Sequence, residues 1–127
     1  MAEDEAPWYR MDEVIGGKRY KTETSTLISY QGKVEVSNPY PGAVVPPYNE
    51  TYYYGERTGL FKTQNGRYFT QYEVYEARDE KTWPSKSRMK ALSKNKALEL
   101  YWQHKRYPGV CVVSLEKSFP DVEIEDA

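Results

Sequence analysis

Side chains suited to nucleophilic or metal chemistry are scarce in this sequence. It contains one histidine, His104, one cysteine, Cys111, and no glycine-rich phosphate loop. These counts argue against histidine-based triads, zinc sites with several histidine or cysteine ligands, and P-loop chemistry. The residues around His104 predict a surface histidine at the polar end of a helix, and the valines around Cys111 predict an inert buried thiol. We expect no catalytic residue, no metal site and no cofactor, and therefore no enzyme.

Paired carboxylates leave one route to chemistry open. Glu73 with Glu76, and Asp79 with Glu80, are close enough in the chain to act as acid and base or to hold magnesium. Such chemistry needs a cleft that removes the carboxylates from water. Because the sequence shows no sign of such a cleft, we interpret all four as solvated loop charges.

The composition predicts a single domain with an aromatic core. A chain of 127 residues can bury roughly two-thirds of its unfolded surface around one core. The hydrophobic fraction of 39% is low, but thirteen tyrosines, three phenylalanines and three tryptophans supply large rings. A tyrosine buries a broad apolar face while its hydroxyl keeps a polar partner. We therefore expect rings to do much of the packing.

Charge is distributed unevenly, although its sum is only −1. Acidic residues gather at both ends, whereas residues 86–106 are rich in lysine and arginine. We predict an acidic N-terminal arm at residues 1–16 that packs in part, a single domain at residues 17–119 and an acidic tail at residues 120–127. The lone cysteine and the acidic first residues predict a cytoplasmic location, and no apolar run approaches the roughly 20 residues of a membrane span.

Alternating side chains and turn residues predict several strands in the first half of the chain. Residues 18–30 alternate as a first strand would, and Gln31-Gly32 predicts the turn that ends it. Four prolines between residues 37 and 49 predict an irregular loop. Further strands are predicted at residues 50–54, 58–64 and 67–75.

Asn65-Gly66 predicts a β-hairpin between the last two of these strands. Both residues tolerate positive φ, which favours a two-residue type I′ turn. That turn would place Phe61 opposite Thr70 and Thr63 opposite Tyr68. One face of the sheet would then carry Phe61, Tyr68, Tyr72 and Val74. The other would be mixed and half-solvated, with Leu60, Lys62, Phe69, Gln71, Glu73 and Tyr75.

Helical spacing begins at residue 93. Ser93 is suited to cap a helix, and apolar residues then follow on one stripe, at Ala97, Leu98, Tyr101 and Trp102. Pro108 and Gly109 predict that the helix ends near Tyr107. The β-branched run at residues 110–115 predicts a buried or central strand. The predicted fold class is α+β, an antiparallel twisted sheet of about four or five strands packed against one main α-helix.

Three segments carry a resemblance to a known family. Residues 17–24 are Gly-Lys-Arg-Tyr-Lys-Thr-Glu-Thr, residues 60–69 are Leu-Phe-Lys-Thr-Gln-Asn-Gly-Arg-Tyr-Phe, and residues 92–97 are Leu-Ser-Lys-Asn-Lys-Ala. In this order they resemble short proteins of bacterial phages, plasmids and integrative elements, which share a K-R-Y-x-T-E-T-A strand, an aromatic hairpin and a P-L-S-E-E-E-A helix start. The present chain lacks the glycine-rich stretch after the family's hairpin, and Lys94 and Lys96 replace the acidic first turn of its helix.

Two features are candidates for binding a partner. The basic residues 86–106 could follow a phosphate backbone, dock on an acidic protein surface, or simply be solvated. The consecutive tyrosines 52–54 must place rings on both faces of their strand. If one face is uncovered it would suit a protein interface; the alternative is that the proline-rich loop or the N-terminal arm covers it. The predicted partner-binding residues are Tyr52, Tyr53, Tyr54, Lys62, Phe69, Tyr75, Lys86, Arg88, Lys90, Lys94, Lys96, Lys105 and Arg106.

These observations lead to an expected function. The resemblance implies an accessory protein of a mobile element, and by analogy such proteins bind and inhibit host protein or ribonucleoprotein complexes, for example CRISPR effectors. We expect inhibition without catalysis, by occlusion of a surface in the bacterial cytoplasm. The alternative is a small nucleic-acid-binding regulator that uses the surface of residues 86–106, although the net charge of −1 weighs against it. A carboxylate-dependent hydrolase would instead need a deep acidic pocket.

Overall fold

The computed structural model describes residues 8–37, 52–75, 86–106 and 108–121. Along these ranges the chain forms β1 (Asp12–Ile15), β2 (Lys18–Lys21), β3 (Thr26–Ser37), β4 (Tyr52–Lys62), β5 (Tyr68–Tyr75), β6 (Lys86–Leu92), α1 (Lys94–His104), β7 (Val110–Cys111) and α2 (Leu115–Ser118). The five strands β6, β5, β4, β3 and β7 form an antiparallel sheet in that order, and β1 pairs with β2 in a small second sheet. The predicted α+β class, with one main helix on an antiparallel sheet, is confirmed.

Helix α1 begins where its sequence predicts. The side-chain oxygen of Ser93 accepts a hydrogen bond from the backbone N–H of Lys96 at 3.2 Å, which caps the first turn. Ala97 and Tyr101 are buried against the sheet, in a cluster with Ile28, Leu60, Tyr68 and Phe119. The helix ends at His104, before the predicted end near residue 107. In the described ranges, no helix is long and apolar enough to cross a membrane.

The β4–β5 hairpin has a different register from the predicted one. Phe61 lies opposite Phe69, one position away from the predicted partner Thr70. The two rings stack with their centres 5.1 Å apart. A shift of one residue reverses the face to which a strand's side chains point. Phe61 therefore shares a face with Phe69 instead of Tyr68, and the predicted grouping of Phe61 with Tyr68 is wrong.

The turn between the two strands also differs from the predicted one. Gly66 has a φ of 81°, whereas no non-glycine residue in the described ranges, including Asn65, has a positive φ. A type I′ turn needs positive φ at both central residues, so it is not formed. Instead, the N–H of Thr63 donates to the carbonyl of Arg67 at 2.8 Å, and the N–H of Gly66 donates to the carbonyl of Thr63 at 3.0 Å. The loop therefore contains one more residue than predicted.

The sheet face that carries Phe69 is covered, and this corrects the prediction that it is half-solvated. Helix α1 covers the face of Leu60 and Tyr68. On the opposite face, Phe69 and its neighbours pack under the N-terminal arm and the β1–β2 hairpin, in a cluster formed by Tyr20, Phe61, Phe69 and Met89 with Trp8, Met11, Ile15, Leu27 and Ala91. The described part of the arm thus packs on the sheet.

Other predicted strand boundaries also differ. Strand β3 continues through Gln31 and Gly32 without a turn, and β4 runs unbroken where two separate strands were predicted. Residues 110–115 do not form a central strand, because β7 is a two-residue edge strand beside β3 and α2 follows it. Strands β1 and β6 were not predicted. Most of the predicted proline-rich loop lies outside the described residues.

Gly32 lets the backbone of β3 lie close to the backbone of β4 at Glu56. Its φ is 98°, and a Cβ atom there would clash with the backbone carbonyl oxygen of Glu56. We expect Gly32→Ala to lower the free energy of unfolding by about 3 kcal/mol, from backbone strain and the contact together. Gly17→Ala is the control, since Gly17 has a φ of 78° but a Cβ atom there would have no other atom within 4 Å.

Urea denaturation of both variants checks this prediction. The control should lose only about 1 kcal/mol, because the positive φ is its single source of strain. Equal losses in the two variants would show that the close approach of β3 and β4 contributes nothing.

Candidate partner-binding surface

Strand β6 presents three cations along the edge of the sheet. Lys86, Arg88 and Lys90 are exposed, whereas Met89 between them is buried. This alternation follows from the pleat of a strand, which sends successive side chains to opposite faces. Strand β6 is the last strand in the sheet order, and in the described ranges it pairs only with β5.

A connected row of side chains crosses the sheet from the middle of β6. Arg88 lies opposite Tyr72, with its guanidinium carbon 5.6 Å from the centre of the ring. The hydroxyl of Tyr72 donates a hydrogen bond to Oε2 of Glu56 at 2.7 Å. This hydrogen bond is the main reason why the pKa of Tyr72 is raised above its usual value. A cation, a ring and a carboxylate therefore stand side by side on the face that α1 shares.

Tyr72 and Glu56 border a groove between the sheet and α1. The groove has a volume of about 300 Å³, and its lining includes Gln31, Thr58, Tyr72, Glu56 and Leu100. Glu56 is the one acid among the described residues of this lining, and its carboxylate already accepts the Tyr72 hydrogen bond. The described lining therefore lacks the paired carboxylates that a hydrolase would require.

The two cations of α1, Lys94 and Lys96, each lie near a carboxylate. Nζ of Lys94 lies 3.5 Å from Oδ2 of Asp121, and Nζ of Lys96 lies 3.8 Å from Oε2 of Glu99. Lys105 and Arg106 follow the other end of the helix, about 16 Å away at 1.5 Å per residue. Nζ of Lys105 lies 5.0 Å from the centre of the exposed Trp102 ring.

Unlike the cations of α1, the β6 cations have no acidic partner among the residues that the structure describes. No carboxylate in the described ranges forms an ion pair with Lys86, Arg88 or Lys90. An uncompensated row of charge is available to an external partner of opposite sign. We call Lys86, Arg88 and Lys90 the β6 cation row.

For two of the predicted partner-binding residues, the expectation of an exposed side chain is wrong. Phe69 is 0% exposed and Tyr75 is 4% exposed, because the hairpin register turns both toward the arm side of the sheet. A partner cannot contact either side chain without unfolding that face.

The other predicted residues on β4 lie at its two ends. Tyr54 is exposed, and the backbones of Tyr52 and Tyr53 pair with the end of β3. Lys62 ends the strand half-buried, with Nζ 5.8 Å from the centre of the Tyr68 ring. Strand β4 therefore separates Lys62 from the tyrosines by most of its length.

Tyr72 and Glu56 belong to the candidate surface but were not predicted as site residues. The sequence did contain a signal for their neighbour β6, since residues 86–92 alternate charged with small or apolar side chains. With β6 recognised as a strand beside β5, Tyr72 would have been placed next to a cation.

A buried ion pair lies on the opposite face of the sheet. Arg57 is 4% exposed and Glu73 is 0% exposed. Both Nε and Nη2 of Arg57 lie 2.9 Å from Oε1 of Glu73. The prediction that Glu73 is a solvated loop charge is therefore wrong; Glu76, Asp79 and Glu80 lie outside the described residues.

This ion pair also holds the N-terminal arm. The second carboxylate oxygen of Glu73 accepts hydrogen bonds from the N–H of Tyr9 at 2.7 Å and from Nε2 of Gln71 at 2.8 Å. Nε2 of Gln71 donates in addition to the carbonyl of Tyr9 at 2.6 Å. The guanidinium of Arg57 lies 4.0 Å from the centre of the Trp8 ring. Both backbone polar groups of Tyr9 are thus bound by sheet side chains.

His104 is buried, which corrects the prediction of a surface histidine. It is 1% exposed, and its Nδ1 lies 2.8 Å from Oγ of the buried Ser29. Burial lowers the pKa of His104 from its usual value. The pair joins α1 to the sheet, and His104 also belongs to the lining of the groove between them. Cys111 is half-buried, and its thiol donates to the carbonyl of Tyr101 at 3.9 Å.

Comparison with known proteins gives no information about the function of this surface. No protein-family profile, curated protein or solved structure matches the chain. Within the described ranges, no three histidine, cysteine, aspartate or glutamate side chains are grouped so that they could hold a metal ion. The surface is therefore interpreted from its own geometry and charge.

Breaking the buried ion pair should be costly. We expect Arg57→Met to lower the free energy of unfolding by about 3–5 kcal/mol, because it leaves the buried carboxylate of Glu73 without its cation. Arg19→Met is the control, since Nε of Arg19 lies 3.4 Å from Asp12 in an exposed ion pair. The control should cost no more than about 1 kcal/mol in the same urea titration. Similar losses in both variants would contradict a structural role for the buried pair.

The stability of the protein should fall below pH 6.5 because of His104. Its pKa in the folded state lies below the usual 6.5, so the unfolded chain takes up the proton first. The contribution of neutral His104 is complete above pH 6.5 and is lost as the pH falls toward the folded pKa, by at most about 1.4 kcal/mol per pH unit. His104→Gln should reduce this dependence in urea unfolding measured across the same pH range. An unchanged dependence in the variant would assign it to other groups.

Proposed function

We propose that this chain is a non-catalytic protein of a bacterial mobile element that binds and inhibits a host protein or ribonucleoprotein complex by covering part of its surface. The observation that carries the binding role is the β6 cation row, which has no acidic partner in the described ranges and stands beside Tyr72. Arginine and tyrosine together are typical of protein interfaces.

The choice of partner rests on the resemblance of residues 17–104 to mobile-element proteins. Accessory proteins of such elements act inside the host cell, and a complex of the host's defence, such as a CRISPR effector, is the partner class that this origin favours. The chemistry of the surface adds that the contacted region of the partner is acidic. Occlusion needs no catalytic group.

Direct binding of nucleic acid is the second candidate. It is favoured by two places where a cation adjoins a ring, Arg88 beside Tyr72 and Lys105 beside the exposed Trp102. Such pairs could combine phosphate contacts with base stacking. Two features oppose it: the carboxylate of Glu56, which accepts a hydrogen bond from Tyr72 beside Arg88, and the net charge of −1.

Reversal of the β6 cation row tests the proposed function. The variant Lys86→Glu, Arg88→Glu, Lys90→Glu should lose at least about tenfold in the amount of partner retained from nuclease-treated bacterial lysate, because like charges then face each other. In bacteria with active CRISPR interference, the wild-type chain should restore plating of a targeted phage and the variant should not.

A matched control reverses three exposed cations elsewhere, Lys18→Glu, Arg67→Glu and Lys117→Glu. It should behave as the wild type does in both assays, and circular dichroism should show that both variants are folded. If nuclease removes all retained material, and binding weakens steeply and log-linearly with salt, the nucleic-acid candidate replaces the proposal.

A further inference from the structure

The outer edge of β6 carries backbone groups that a further strand could use. In the described ranges β6 pairs with β5 on one side only. An edge strand presents a row of N–H and C=O groups to its open side, and an extended peptide can add there by main-chain hydrogen bonds. The same edge carries the β6 cation row, so backbone and charge recognition coincide in one element.

The spacing of the cations fits an extended peptide. Lys86, Arg88 and Lys90 recur every second residue, at intervals of about 6.7 Å along the strand. The side chains on one face of an added strand recur at the same interval and lie directly opposite their partners. Carboxylates at every second position of that strand would therefore each meet one cation.

The other face of β6 sets a second requirement. Met89 is buried and Ala91 is half-buried in the same apolar cluster below the N-terminal arm. The intervening residues of an added strand would extend this apolar side. A partner segment with acidic residues on one face and apolar residues on the other matches both faces of the edge.

We infer that β6 is a docking edge for an extended acidic segment of a protein partner, with acidic and apolar residues in alternation, which joins the sheet beside β6. This inference rests on the proposed binding function and names the chemistry of the partner. Nucleic acid is the less suitable occupant, because it cannot continue a ladder of backbone hydrogen bonds and because Glu56 adjoins Arg88 through Tyr72.

Fluorescence anisotropy with short labelled peptides tests the inference. The probe is a peptide of about eight residues that alternates Glu and Val, long enough to span the edge. One control peptide has the same composition with the glutamates in a single block, and another is the alternating peptide with every second amide N-methylated. The alternating peptide should bind at least about tenfold more tightly than either control, since only it combines register with ladder hydrogen bonds.

Variants of the protein provide the second arm of the test. The reversed β6 cation row should weaken binding of the alternating peptide about tenfold or more, whereas the Lys18, Arg67 and Lys117 reversal should change it less than about twofold. Equal binding of all three peptides would overturn the inference, because charge alone would then explain it. So would the absence of binding, which would leave the edge lysines as a guard against strand pairing.

A single-stranded oligothymidylate of similar charge completes the comparison. Tighter binding of this probe than of the alternating peptide, with a steep salt dependence, would overturn the inference in favour of a nucleic-acid surface. If the wild-type chain retains a nuclease-resistant partner and the reversed row does not, yet no peptide binds, then the proposed function stands and this inference alone fails.

Discussion

The buried pair between Arg57 and Glu73 determines how the two central strands align. The two residues lie directly opposite each other across β4 and β5, and both are buried. A slip of one residue would send one of the two charges to the α1 face and leave the other unpaired in the core, at a cost of several kcal/mol. Replacement of such a pair by apolar residues is often neutral for stability, whereas a slip that separates the two charges is costly, so the pair favours this register.

The same register arranges the rest of the molecule. It stacks Phe61 on Phe69 under the arm and sends Tyr68 to the helix side, where the Phe119 ring stacks on it with centres 4.9 Å apart. It also brings Tyr72 within hydrogen-bond distance of Glu56, while the pairing of β5 with β6 places Tyr72 opposite Arg88. An interaction in the interior thus decides which side chains meet at the candidate surface on the other face.

Local signals predicted the parts of the fold that depend on near neighbours in the chain. The Ser93 cap, the start of α1 and the existence of the hairpin follow from a few adjacent residues. The register does not, because Asn65-Gly66 is compatible with loops of two lengths and the choice is made by distant contacts such as Arg57 with Glu73. The burial of His104 and Glu73 could not be predicted from local sequence either. It depends on segments that lie far away in the chain, namely the strand with Ser29 and the arm with Tyr9.

The arrangement of the sheet narrows where a partner can bind. One face is closed by the arm, whose backbone at Tyr9 is held by Glu73 and Gln71, so rings such as Phe69 that the sequence offered for binding are used in folding. The other face is closed by α1 only over its Tyr68 end. In the described ranges, the end of this face at Tyr72 adjoins the edge strand β6, which pairs only with β5. The buried polar side chains Glu73 and Gln71 are paired internally, whereas the β6 cations form no ion pair in this part of the chain and lie in a row on an edge strand, and this difference is the reason for the proposed binding surface.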